Sequence, residues 1–120
     1  MKRDPLLYLQ DMVESIKKIE EYTKKAGDAG FHKNTETQDA IIRRLEIIGE
    51  AVKNIPKEIK EENPTIPWKK IAGLRDVVTH AYFGVNLDRV WKITVDDLPK
   101  LKKDINKIIK TLKKRQSKNR

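Results

Sequence analysis

Between Arg75 and Gly84 the chain reads RDVVTHAYFG, which sets an arginine, an aspartate, a histidine and a tyrosine into a stretch otherwise suited to a buried helix. Each polar member has a chemical use. Imidazole titrates near pH 6.5, so His80 can take or give a proton at neutral pH, worth roughly 10²- to 10⁴-fold in rate. The guanidinium of Arg75 stays charged, and its planar fork matches two phosphate oxygens, so it can hold a phosphodiester and stabilise charge that grows there. Asp76, one turn before His80, can hydrogen-bond the imidazole and favour its protonated form. RNA carries its own nucleophile, the 2′-hydroxyl. A base and a phosphate clamp therefore suffice to cut it to a cyclic phosphate and a 5′-hydroxyl, without a metal or a protein nucleophile.

Helical spacing decides which of these groups share a face. At about 100° per residue, Arg75, Thr79 and Tyr82 fall on one stripe and Asp76 and His80 on the next. Arg75 and His80 lie on neighbouring ridges about one and a half turns apart. Leu74, Val77, Val78 and Ala81 cover the rest of the circumference and can anchor the helix, leaving a polar edge. From spacing alone two readings stand: a catalytic cluster, or an intrahelical ion network that satisfies a seam between two copies of the chain. His32, beside Lys33 and Asn34, reads as a solvated loop residue, and Trp68 and Trp91 read as core rings.

The 120 residues predict one domain, with a single core and little margin, so that association with a second chain would bury useful surface. No cysteine is present, which excludes disulfides and thiolate chemistry, and two histidines far apart in sequence argue against zinc, so no metal and no cofactor are expected. No apolar run is long enough to cross a bilayer, and the N-terminal MKRDPLLYLQ is broken by charge and proline too early for a cleavable leader; the expectation is a cytoplasmic protein. The net charge of +9 is concentrated at one end. Ten of the 27 Lys and Arg, against Asp104 alone of the 18 acids, lie between Lys100 and Arg120, which leaves seventeen of each sign before it. Such a segment attracts polyanions such as RNA without regard to sequence, or else simply solvates a terminal helix and suits its dipole.

The pattern around the cluster is helical throughout. Leu6, Leu9, Val13, Ile16 and Ile19 mark a first helix, and Ile41, Leu45, Ile48, Val52 and Ile55 a second. GDAGFHKN reads as the loop between them, with Asn34 or Thr35 as the cap of the second helix and Pro56 as its end. PKEIKEENP is a short helical turn with proline at its first position. PWKKIAGLRDVVTHAYFG starts at Pro67 in the same way and runs to a Gly84 cap. Leu87, Val90, Trp91 and Val95 mark a shorter helix that an asparagine could cap. Leu98, Leu101, Ile105, Ile108, Ile109 and Leu112 mark a long amphipathic one, expected to become a basic, frayed tail from about residue 114. The predicted fold is all-α: a single domain over residues 1–120, an up-and-down bundle of four main helices plus one or two short ones. Gly49 and Gly73 are expected inside helices, where a close crossing would offset their cost of roughly 1 kcal/mol.

Taken whole, PWKKIAGLRDVVTHAYFGVNLDRVW resembles the HEPN superfamily, and within it the HepT toxin branch, whose hallmark is arginine, four to six residues, histidine, any residue, tyrosine. Arg75, His80 and Tyr82 fit that hallmark, and RRLEIIGEAVKNIP in the second helix is also similar to that branch. The resemblance implies a homodimer in which Arg75 and His80 of two chains face a shared cleft and act as a metal-independent endoribonuclease on RNA. It further implies a type VII toxin–antitoxin system with a small nucleotidyltransferase (MNT) antitoxin as partner, which transfers AMP to Tyr82. A bulky anion on the stripe of Arg75 would block the cleft and compete for the guanidinium. The position after the arginine is often asparagine in this branch and is Asp76 here, a supporting group whose charge must be balanced. The alternative implied by the same resemblance is a non-catalytic HEPN subunit that binds nucleotide or supports a partner nucleotidyltransferase.

Overall fold

The computed structural model describes residues 3–81 and 86–118 of the chain, without the side chains of His80 and Ala81. Its elements are α1 (Pro5–Lys33), α2 (Thr35–Lys53), α3 (Lys57–Glu62), α4 (Trp68–Ala72), α5 (Leu74–Ala81), α6 (Leu87–Lys92), a π-helical turn (Ile93–Asp97) and α7 (Leu98–Lys118). No strand occurs among the described residues, so the all-α class holds. The particle is elongated, 51 × 28 × 25 Å.

Local chemistry sets the start of the first two helices. Pro5 opens α1 behind Asp4, whose carboxylate accepts from the Leu6 amide at 2.9 Å. Asn34, one of the two expected caps, accepts from the Thr37 amide at 3.1 Å and is the single residue between α1 and α2. The expected loop GDAGFHKN is otherwise helical. Gly27 alone departs, with φ 67° and ψ 176°, a conformation that only glycine adopts without strain. The break lets the last turns of α1 drop Phe31 into the core, where it is fully buried, and a loop reading misses it because one glycine and not a whole segment makes the turn.

α1 and α2 pack along each other as a hairpin, and α7 lies against α1. Leu9, Met12, Ile16, Ile41, Leu45 and Ile105 are fully buried between them. Each such side chain contributes about 1.5–3 kcal/mol. Pro56 and Pro67 precede α3 and α4 as caps, one position earlier than expected.

Two expected elements divide differently. The helix predicted from Pro67 to Gly84 is split at Gly73, which caps α4 just before α5 starts at Leu74, while Gly84 lies outside the described residues. Conversely α6, the π turn and α7 form one continuous helical run, with helical dihedrals at both junctions, where two helices were expected. The wider π turn rotates less per residue and sets the helical phase back, so Val95, expected in the core, is 42% exposed and Thr94 is buried. The Thr94 hydroxyl donates to the Trp91 carbonyl at 2.7 Å. α7 continues to Lys118, past the point near residue 114 where the sequence suggests fraying. The bundle thus has three long helical runs, with α4 and α5 crossing α2.

Gly49 marks that crossing. A Cβ built there would lie 3.5 Å from the Ile71 carbonyl oxygen, 3.7 Å from that of Ala72 and 3.7 Å from the Arg75 amide nitrogen. One methyl fits and a branched side chain does not. Gly49→Ala should hold or raise stability, since alanine is the better helix former by roughly 1 kcal/mol. Gly49→Leu should cost about 1–3 kcal/mol in urea denaturation.

Candidate active site

The candidate residues belong to α5, whose position is fixed by its apolar side. Val78 is fully buried, Leu74 is 5% exposed and Val77 6%. Arg75, Asp76 and Thr79 are exposed on the opposite side. The polar edge expected from helical spacing is therefore present for these three. His80 lies in the same helix; its side chain is outside the described residues, and so is the whole of Tyr82.

Backbone chemistry keeps Arg75 and Asp76 in the first turn of α5. The Asp76 amide donates to the Gly73 carbonyl at 3.1 Å, and the Thr79 hydroxyl donates to the Arg75 carbonyl at 2.9 Å. A carboxylate in a first helical turn is favoured by the helix dipole, worth typically 0.3–1 kcal/mol, which gives Asp76 a local reason to be an acid. Neither Arg75 nor Asp76 forms an ion pair among the described residues, and the two do not pair with each other. The Arg75 side chain is exposed to solvent. Trp68, at the start of α4, is half-buried and donates its indole N–H to the Asn63 carbonyl at 3.0 Å, which braces the segment leading into Gly73.

Behind α5 runs a groove of about 290 Å³, floored by Ile71, Leu74, Val77 and Ile93 and rimmed by Lys70, Asp97 and Lys100. Lys70 and Asp97 approach to 3.6 Å across it. The π turn supplies one wall, so the groove was not visible in the sequence; no residue pattern announces a π turn. Among the described residues no three His, Asp or Glu side chains gather as metal ligands, and no helix is long and apolar enough to cross a membrane.

His32 is not the solvated loop residue that the sequence suggests. It stands on the last turn of α1, edge-on to Phe31 with ring centroids 5.1 Å apart. Its Nδ1 lies 2.9 Å from the Asp28 carbonyl and 2.8 Å from the Asp28 carboxylate, and its Nε2 lies 2.7 Å from the Asp88 carboxylate on α6. Every one of these partners is an acceptor, and a neutral imidazole has only one N–H, so the geometry calls for the doubly protonated ring. The hydrogen bond to the Asp28 carbonyl, joined by that to Asp88 and by both carboxylate charges, outweighs desolvation and raises the His32 pKa. This ion pair ties α1 to the first turn of α6, directly after the segment that follows α5. An acid 56 residues away is the signal that sequence reading lacked.

A helical bundle that carries an exposed arginine on the outward side of α5, with a histidine five residues on in the same helix, is the class of domain defined so far. The sequence matches the family described as ribonuclease HepT-like over residues 12–108, and the chain belongs to that family. It is 46% identical over 110 residues to a Thermococcus cleftensis protein named "Probable ribonuclease HepT", covering 92% of this chain and all of that one. It is also 46% identical over 117 residues to a Methanocaldococcus jannaschii protein named "Gamma-glutamylcyclotransferase and putative RNase". That match covers 98% of this chain but 53% of the relative, so the chain spans about half of that protein's length. No solved structure matches.

The raised pKa of His32 has a measurable consequence. Its unfolded value is about 6.5 and its folded value is higher, so the stabilisation is complete below about pH 6.5 and is lost as pH rises through the folded value. The melting temperature should therefore decline between about pH 6 and pH 8.5 more steeply than that of His32→Gln. The difference should be no more than a few degrees, because the Asp88 carboxylate is 98% exposed. Equal slopes in the two proteins would assign the pH dependence to other groups.

Proposed function

We propose that this chain is a metal-independent endoribonuclease, the toxin of a type VII toxin–antitoxin pair, with Arg75 and His80 as catalytic residues at the cleft of a homodimer. The observation that carries the reading is the outward polar edge of α5, where the Arg75 side chain is exposed and unpaired among the described residues, one and a half turns from His80. Membership of a family described as ribonuclease HepT-like supports it, as does the relative named as a ribonuclease. In the proposed step the imidazole of His80 accepts the proton of the ribose 2′-hydroxyl. The freed oxygen attacks phosphorus while Arg75 balances the charge on the non-bridging oxygens. The P–O5′ bond then breaks, and the leaving oxygen takes up a proton. The products are a 2′,3′-cyclic phosphate and a 5′-hydroxyl.

Within this reading Asp76 is a supporting group, one helical turn before His80, that would hydrogen-bond its imidazole. The antitoxin partner would be a nucleotidyltransferase that neutralises the enzyme by moving AMP from ATP to the Tyr82 hydroxyl, with pyrophosphate leaving. A second reading, a non-catalytic subunit that binds nucleotide or supports such a partner, draws on the exposed carboxylate of Asp76 beside Arg75, which repels a polyanion.

Purified protein mixed with single-stranded RNA in EDTA should yield cyclic-phosphate ends. His80→Ala should abolish them and Arg75→Ala should slow cleavage by about 10²-fold or more. Absence of cleavage at every salt and pH, with no toxicity on expression, would favour the non-catalytic subunit. Co-production with the neighbouring nucleotidyltransferase and ATP should add AMP masses at Tyr82 by peptide mass spectrometry. Suppressed activity with unmodified Tyr82 would point to inhibition by complex formation.

A further inference from the structure

The lysines of α7 are not equivalent. Two cations on its flanks are paired with the bundle: Lys102 meets Glu20 of α1 at 2.7 Å, and Arg115 meets Glu62 of α3 at 3.1 Å. Those on the outward ridge are not. Lys103, Lys107, Lys110 and Lys114 follow one another at steps of four, three and four residues, so they share one stripe opposite buried Leu101, Ile105 and Ile108. All four are exposed, and none forms an ion pair among the described residues. Lys100 and Lys118 extend the stripe at either end. Asp104, the only acid of the helix, turns aside to the rim of the groove behind α5.

The helix dipole favours the basic residues of the last turn, Arg115 and Lys118, but does not reach Lys103, Lys107 or Lys110. A ridge that served only to solvate a helix would interleave acids at i+4 and gain about 0.2–0.5 kcal/mol per pair. Here the pairs Lys103/Lys107 and Lys110/Lys114 repel instead, at a cost of similar size. The charge of the chain before Lys100 is balanced, so the excess that a distant polyanion feels lies from Lys100 onward, all but one of its cations on this helix. Axial spacings of about 4.5 and 6 Å over some 16 Å give a linear row of point charges, suited to a chain of phosphates and carrying no base-reading geometry.

We propose that the outward ridge of α7, Lys103–Lys107–Lys110–Lys114, is a phosphate-backbone track that recruits RNA without sequence preference, separately from the groups that cut it. The proposal rests on the reading of the chain as an endoribonuclease, and binding can be measured apart from cutting. A fluorescein-labelled oligouridine is titrated in EDTA, over a series of salt concentrations, with the full-length His80→Ala protein. The same titration is run with that protein carrying Lys103→Gln, Lys107→Gln, Lys110→Gln and Lys114→Gln together. A control carries Lys17→Gln, Lys24→Gln, Lys25→Gln and Lys57→Gln, which remove the same charge elsewhere.

The ridge variant should bind at least about tenfold more weakly at low salt, and its log Kd against log salt slope should shrink by up to about 3, since each single-strand phosphate contact contributes about 0.7. Lys→Arg at the four positions should restore binding. In the cleaving protein the ridge variant should raise KM and leave kcat unchanged. Oligouridine binding that is unaltered in the ridge variant, or weakened equally in the control, overturns the track. So does a ridge that captures phosphatidylserine vesicles but not oligouridine. Binding as predicted, without cleavage by the unmutated protein, would instead overturn the nuclease reading and leave the track standing.

Discussion

The crossing of α5 over α2 is the contact on which the rest depends. The eight described residues of α5 are fewer than a helix needs to hold itself together in water, so their facing comes from burial of Leu74, Val77 and Val78. Gly49 keeps the α4–α5 junction within 3.5–3.7 Å of where a side chain would begin, and Gly73 supplies the break that lets the chain cross and restart. Because the apolar side is spent on α2, Arg75 and Asp76 have only the solvent side to occupy. The same geometry that buries three aliphatic side chains aims the guanidinium outward, and no separate device is required to expose it.

The second support is remote in sequence. The segment after α5 returns to the bundle through α6, and α6 is tied to α1 by His32 and Asp88 and by Phe31 against Trp91, with ring centroids 5.4 Å apart. Gly27 makes this possible, since without its positive φ the end of α1 would continue straight and Phe31 would not enter the core. The two ends of the candidate segment are thus held by different means, aliphatic packing on α2 before it and an aromatic and ionic contact with α1 after it.

These supports explain what was legible. The polar edge of α5 could be read because a single turn of helical phase relates Arg75, Asp76 and Thr79, and nothing distant alters it. The long apolar runs of α1, α2 and α7 were legible for the same reason. Phase failed where the backbone itself changed: at Gly73, whose two roles as helix interior and helix cap look alike in sequence; at Gly27, one turn-maker inside what reads as a polar loop; and at the π turn, which shifts the period without changing composition and so turned Val95 outward and Thr94 inward. His32 was misjudged because its partner lies on another helix. Local periodicity carries no information about such pairs.

Proton inventory bears on the proposed chemistry more tightly than electrostatics does. Cleavage by the 2′-hydroxyl removes a proton at one oxygen and supplies one at another on the far side of phosphorus, and one imidazole cannot be base and acid at the same moment. The chain has two histidines, and both nitrogens of His32 are engaged with Asp28 and Asp88, so in the proposed reading the imidazole that acts is that of His80. If cutting is concerted, the second proton must come from water or from another copy of His80. In the proposed reading the dimer supplies the second source: another chain brings a second imidazole to act as the acid, together with a second guanidinium. The ridge of α7 adds charge but no imidazole, so it can hold the substrate without competing for that role.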